Sequence, residues 1–166
     1  ESLIDEIIQP KPHCIKRGEN DIQKIISYRE KMFRILPIID DNFHVINVVN
    51  FRTIKSYLPV DVVVMAGGKG QRLQPLTNNT PKPLLVVGDK PIIEHNLDRI
   101  ASYGIENFWI SLNYLGHQIE NYFNNGKDKN IKIEYVWEAE PLGTIGAVTK
   151  INNFEHDYIL VTNSDL

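Results

Sequence analysis

Two rhythms of apolar and polar positions divide the chain, with a change near residues 56–61. In the front part, Ile22, Ile25, Ile26 and Phe33 recur at helical spacing, with polar Arg29 as the exception. Asn20 and Asp21 are good cap residues, so a helix is predicted over residues 21–33. Ile35-Leu36-Pro37-Ile38-Ile39 follows as a short apolar strand whose proline suits an edge or a strand start. Asp40-Asp41-Asn42 supplies a turn, a second strand is predicted over 45–49, and a short helix around 53–57. A unit of about fifty residues has difficulty burying an adequate core alone, so it is expected to pack against a partner.

Beyond Pro59, strands and helices alternate. Residues 62–65 read as a buried strand running into glycines. A helix is predicted over 91–103, opened by Pro91 in its first turn, closed by Gly104, and carrying Ile93, Leu97, Ile100 and Ala101 on one face. Residues 108–112 form the next strand, 115–123 a helix, and 131–137 a half-exposed strand. Residues 144–151 then read as a helix and 158–162 as a final buried strand. Trp109 and Trp137 fall in predicted strands and are expected in the core. This order implies an α/β fold with a Rossmann-like, mostly parallel sheet, in which ligands bind beyond the carboxyl ends of the strands.

Composition adds exclusions. The 166 residues are 42% hydrophobic and 23% charged, ordinary for a globular chain, and the net charge of −3 argues against nonspecific nucleic-acid binding. The single cysteine, Cys14, cannot form an internal disulfide. No apolar run is long enough to span a bilayer and no signal peptide opens the chain, so a cytoplasmic location is expected. The chain starts on Glu1 and stops abruptly at Leu166, which suggests a piece of something longer.

The strongest chemical signal follows the first strand of the second part. Ala66-Gly67-Gly68-Lys69-Gly70-Gln71-Arg72 places three glycines and a planar cation where backbone amides can approach an anion. The spacing fits neither the dinucleotide fingerprint nor the P-loop, and a plain tight turn with a surface arginine is the alternative. In Thr80-Pro81-Lys82-Pro83-Leu84-Leu85, a lysine between two prolines sits on a stiff backbone, as befits a cation that must meet a phosphate at a defined point, with a solvated surface charge as the alternative for the lysine on its own. The five histidines show no metal-ligand spacing, and Asp40-Asp41 reads as a solvated turn.

Together, Gly67 to Thr77, Pro81 to Leu85 and Lys90 to Glu94 resemble the first half of a sugar-1-phosphate nucleotidyltransferase over residues 58–166. Glu138 to Thr144 resembles that family's base-recognition turn, and Asn163-Ser164-Asp165 its metal-binding strand end. The resemblance implies that Ala66, Gly67, Gly68 and Gly70 surround the nucleotide, and that Glu138 and Gly143 belong to the base turn. It further implies that Arg72 neutralises pyrophosphate, Lys82 holds phosphate at the reacting centre, and Asp165 ligates Mg²⁺. The expected partners are an NTP and a sugar 1-phosphate. GTP is favoured, because a carboxylate at position 138 only accepts hydrogen bonds and guanine offers two adjacent donors. Backbone reading of the base, with Glu138 turned to solvent, is the alternative. The family completes its metal site with a second aspartate on a later strand, so the fragment alone is expected to be inactive.

Residues 1–57 resemble one CBS motif, half of a paired adenosine-nucleotide-sensing module with a small α+β fold. The family's nucleotide-contacting Gly, Ser/Thr and Asp are replaced here by Asn47, Asn50 and Thr53, so a structural or homodimerising role is favoured over adenosine binding. A regulatory protein with a sensor and a non-catalytic transferase-like domain is the rival to the enzyme. Retention of Arg72, Lys82 and Asp165 favours the enzyme.

Overall fold

The computed structural model describes residues 11–19, 22–53, 58–140, 142–143 and 145–165. The chain divides into two compact units, residues 1–56 and 57–166.

In the first unit, β1 (Ile15–Lys16) pairs parallel with β2 (Ile35–Ile39), which pairs antiparallel with β3 (Val45–Asn50). Helix α1 spans Ile22–Glu30. It ends three residues before Phe33, because Met32 turns into the left-handed region (φ 63°). Phe33 instead meets the rings of Tyr28 and His13, with centroids 5.3 and 5.0 Å away. Pro37 stands in the central strand rather than at an edge. The two-residue β1 reaches only Ile38 and Ile39, so among the described residues no strand pairs with β2 on that side at Pro37, the residue that lacks an amide proton. Ile15, Ile25, Leu36, Ile38 and Val49 are buried, whereas Ile35, Ile46 and Val48 are exposed. The turn at Asp40 holds, its carboxylate accepting from the amides of Asn42 and His44, both at 2.9 Å. Asn20, Asp21 and residues 54–57 of the expected short helix lie outside the described residues.

The second unit is built on four parallel strands, β4 (Asp61–Met65), β7 (Asn107–Leu112), β8 (Lys132–Trp137) and β9 (Ile159–Asn163), in the order β8-β7-β4-β9. This is the parallel, Rossmann-like sheet that the alternating pattern predicts. The strand order reverses between β4 and β9, and a ligand crevice opens at such a point. Val62 and Val64 face a core with Ile93 and Leu97 of α2 (Ile92–Ala101) and Ile119 and Phe123 of α3 (Gly116–Phe123). Val63 faces Trp109, Val136, Ala147 and Ile151 on the other side, so β4 is apolar from Val62 to Met65 because both its faces are covered. A two-stranded hairpin, β5 (Val86–Val87) with β6 (Lys90–Pro91), precedes α2; its strands are too short to leave a periodic signal.

Four expectations are corrected. Pro91 caps α2 from outside rather than occupying its first turn. The segment read as a helix over 144–151 is a 3₁₀ turn, Gly146–Lys150, and Thr144 lies outside the described residues. Strand β9 is not buried: it is the sheet edge, and Tyr158, Ile159 and Leu160 are exposed. Trp109 is in the core, but Trp137 is 37% exposed and lies against His117, ring centroids 4.3 Å apart.

At the amino ends of the strands, buried Asp61 holds the approach to β9. Its Oδ2 accepts from the amides of Glu155 (2.7 Å) and His156 (3.0 Å), and its Oδ1 lies 3.1 Å from His156 Nδ1. No helix among the described residues is long and apolar enough to cross a membrane.

Candidate functional site

At the carboxyl end of β4 the side chains disappear and backbone takes over. Ala66 donates its amide to the Ser111 carbonyl (3.1 Å), and the glycines continue as an open loop. Gly70 adopts a left-handed conformation (φ 63°), and a Cβ there would lie 3.0 Å from Thr77 Cγ2 and 3.1 Å from Lys82 Cβ. Buried Thr77 donates its hydroxyl to the Gly70 carbonyl at 2.9 Å. The loop thus touches the lysine segment where only glycine fits. Arg72 follows in a 3₁₀ turn (Gln71–Leu73) and is exposed, with no ion pair to any described residue.

Pro81 and Pro83 are buried, and Lys82 opens the 3₁₀ turn Lys82–Leu84 between them. The preceding loop is tied to the start of α3: Tyr114 Oη is 3.2 and 2.9 Å from the Thr77 and Asn78 carbonyls, and Gln118 Nε2 donates to Asn79 at 3.0 Å. The ammonium of Lys82 forms an ion pair with Asp165 Oδ2, each side chain being about a third exposed. Asp165 stands just past β9, where Ser164 donates its amide to Met65 (3.2 Å) and accepts at its carbonyl from Asn96 Nδ2 of α2 (3.0 Å).

Glu138 follows β8 and is buried rather than turned to solvent. Its Oε1 accepts from the Ser111 hydroxyl (2.6 Å) and its Oε2 from the Leu142 amide (3.0 Å), while Asn113 Nδ2 donates to its main-chain carbonyl (2.6 Å). The carboxylate thereby fixes the turn that leads to Gly143 (φ 79°).

These segments enclose a cleft of about 740 Å³ at the carboxyl ends of β4, β7, β8 and β9. That volume suits a nucleotide-sized ligand. Ala66, Gly67, Gly68, Gly70, Arg72, Lys82, Glu138, Gly143 and Asp165 all line it, so every site residue singled out from the sequence meets in one place. Ser111 and Asn113, which the sequence did not single out, line it too. Nothing in the sequence marks them; the fold places them at and just beyond the carboxyl end of β7.

Among the described residues no group of three or more His, Cys, Asp or Glu side chains could hold a metal. Asp165 offers one carboxylate. Mg²⁺ is commonly held by one or two carboxylates together with substrate phosphates, so Asp165 fits an ion that arrives with a triphosphate. It does not make a cage for a free ion.

Comparison with known proteins agrees with this geometry. Residues 61–166 match the family model described as "Nucleotidyl transferase". The chain is 41% identical over 108 residues to a mannose-1-phosphate guanylyltransferase of Mycobacterium tuberculosis, covering 64% of this chain and 30% of that protein. It is 36% identical over 107 residues to the bifunctional protein GlmU of Methanococcus maripaludis, covering 64% of this chain and 25% of that one. The chain therefore spans less than a third of the length of these relatives. Among solved structures, HddC from Yersinia pseudotuberculosis complexed with GMP-PN is similar at TM-score 0.54 and 31% identity, covering 64% of this chain and 48% of that one. A putative glucose-1-phosphate thymidylyltransferase from Bacillus anthracis shares the fold at TM-score 0.57 and 24% identity, covering 64% of this chain and 44% of that one. Through the segment that carries the glycine loop, the clamped lysine and the strand-end aspartate, the chain belongs to the nucleotidyl transferase family.

Proposed function

We propose that the protein transfers a nucleotidyl group from an NTP, with GTP favoured, to a sugar 1-phosphate, giving an NDP-sugar and pyrophosphate. The observation that carries this is the convergence of the glycine loop, Arg72, Lys82, Glu138 and Asp165 on one cleft at the strand-order reversal. The sugar phosphate attacks the α-phosphorus in line and pyrophosphate leaves. A phosphate monoester has a second pKa of about 6 and is mostly dianionic at neutral pH, so no general base is required. The work of the chain is alignment and relief of anion repulsion. Amides of Gly67, Gly68 and Gly70 line the nucleotide, Arg72 meets the departing pyrophosphate, and Lys82 meets the reacting phosphate. Mg²⁺, when bound at Asp165 with the triphosphate, supplies charge neutralisation.

The base assignment rests on Glu138. Its oxygens are already engaged by Ser111 and Leu142, but each retains acceptor capacity, and no donor is presented by an ionised carboxylate. Guanine's adjacent N1–H and N2 amino donors suit that acceptor; the pyrimidine carbonyls of UTP and dTTP do not. The similarity to a guanylyltransferase and to a protein complexed with GMP-PN supports this choice. Initial rates of pyrophosphate release with GTP, UTP, dTTP and CTP, against a panel of sugar 1-phosphates, test it in the full-length protein. GTP is expected to lead by about ten- to a hundredfold, and Glu138→Gln is expected to narrow that lead. A wild type preferring UTP or dTTP sinks the base assignment.

For the front unit, a CBS-type module that pairs with a second copy is our reading of the exposed Ile35, Ile46 and Val48 on its sheet. Light scattering of an Ile46→Lys/Val48→Lys variant is expected to show loss of a dimer.

A further inference from the structure

Three cations line the cleft, and their situations differ. Lys69 and Arg72 are exposed and make no ion pair with a described residue, whereas Lys82 is held by Asp165. The two partners are 83 positions apart, and each is carried on fixed backbone. Lys82 lies between two buried prolines, and Leu85 donates its amide to the Lys82 carbonyl at 3.1 Å. The residue before Asp165 is held at both its amide and its carbonyl, by Met65 and by buried Asn96. With the adjoining main chain held in this way, rotation of the two side chains is enough to open the pair.

We infer that the Lys82–Asp165 pair is a latch that makes metal and phosphate help each other into the cleft. This rests on the proposed roles of the two residues and adds a coupling between them. A cation that binds Asp165 competes with the ammonium, and a phosphate that binds Lys82 competes with the carboxylate. Each ligand, by taking one partner, releases the other for the second ligand. The nucleotide-free protein therefore resists free metal, and the metal-free protein resists phosphate. Coupling of this kind is reciprocal, so both halves are open to measurement.

The test reads binding rather than turnover, so it can fail while the enzymatic reading stands, and the reverse. With the full chain and no nucleotide, Mn²⁺ affinity is measured by electron paramagnetic resonance for wild type, Lys82→Met, Lys82→Arg and Arg72→Met. Lys82→Met is expected to bind Mn²⁺ about tenfold more tightly, while Lys82→Arg, which can re-form the pair, and Arg72→Met stay within about twofold of wild type. In the second arm, pyrophosphate binding is measured by calorimetry in excess EDTA. Asp165→Asn is expected to tighten it severalfold although it removes a metal ligand, and Glu138→Gln is not. Mn²⁺ affinity that is unchanged in Lys82→Met, or that rises equally in Arg72→Met, overturns the latch. So does pyrophosphate binding unchanged or weakened by Asp165→Asn.

Discussion

At Gly70 one missing side chain joins two halves of the candidate site. Gly70→Ala places a methyl group in a left-handed residue and against Thr77 and Lys82. A cost of about 1–2 kcal/mol is expected from the conformation alone. Moving the lysine segment should raise KM for the NTP by more than the loss of stability explains, which steady-state kinetics beside thermal melts will check. Asp165→Asn should leave the melt unchanged and lower turnover by about 2–4 kcal/mol in barrier, the scale of electrostatic catalytic groups. Gly70 and Lys82 were legible because glycine and flanking prolines punctuate the backbone, whereas Asp165 was marked only by the resemblance of Asn163-Ser164-Asp165 to the family's strand end. Ser111 and Asn113 were not. A lone serine or asparagine carries no such mark, and their part emerges only when β7 brings them beneath Glu138.

Helices α2 and α3 were legible from apolar spacing, but what ties their surfaces together was not. Lys129, just before β8, reaches Glu94 Oε1 (2.6 Å) and Asp98 Oδ1 (2.8 Å) of α2; Lys90 also pairs with Asp98, and Tyr122 of α3 donates to Glu94 at 2.7 Å. Burial alone would raise the Asp98 and Glu94 carboxyls. Hydrogen bonds from Lys129 and Lys90 to Asp98, and from Lys129 and Tyr122 to Glu94, outweigh it and hold both below the ordinary range. Burial likewise pulls Lys129 down, but Asp98 and Glu94 raise it. Depressed carboxylates stabilise above their unfolded pKa of about 4 and lose that contribution as pH falls through the lower folded value. The raised lysine does so below about 10.4, losing it as pH rises further. Lys129→Met should therefore cost about 1 kcal/mol between roughly pH 5 and 9, a modest figure for a partly exposed network. Its melting temperature should converge on wild type in acid, as scans at several pH values will show. The 144–151 segment failed as a helix for an identifiable reason: its apolar residues satisfy the spacing, yet only five positions close into turns before Ile151 leaves in extended backbone.

Across the second unit, the two ends of one sheet divide the labour. Binding groups gather at the carboxyl ends, while the amino ends are held by Asp61. Asp61→Ala leaves two main-chain amides and the His156 ring without their acceptor in a buried place. A loss of about 3 kcal/mol is expected by urea unfolding, with nucleotide affinity of the folded protein unchanged. The alternation of strands and helices along the chain implied the parallel sheet, because parallel neighbours need helical crossovers. The exposed state of β9 was not legible: Tyr158-Ile159-Leu160-Val161 reads as interior, and only the strand order puts it at an edge. The same limit applied to Trp137, whose strand is right and whose surroundings are set by α3.

The position of Trp137 gives the protein an optical reporter. The chain has two tryptophans: Trp109 is buried beside Phe154, and Trp137 stands half in solvent, one residue before Glu138. Its main-chain carbonyl accepts from Lys150 Nζ at 3.0 Å, which ties the end of β8 to the 3₁₀ turn Gly146–Lys150. Iodide should quench the red-shifted emission of Trp137 and spare the blue emission of Trp109. A ligand that orders the turn around Glu138 should shield the first and leave the second unchanged, so a single fluorescence titration separates occupancy of the cleft from unfolding of the sheet.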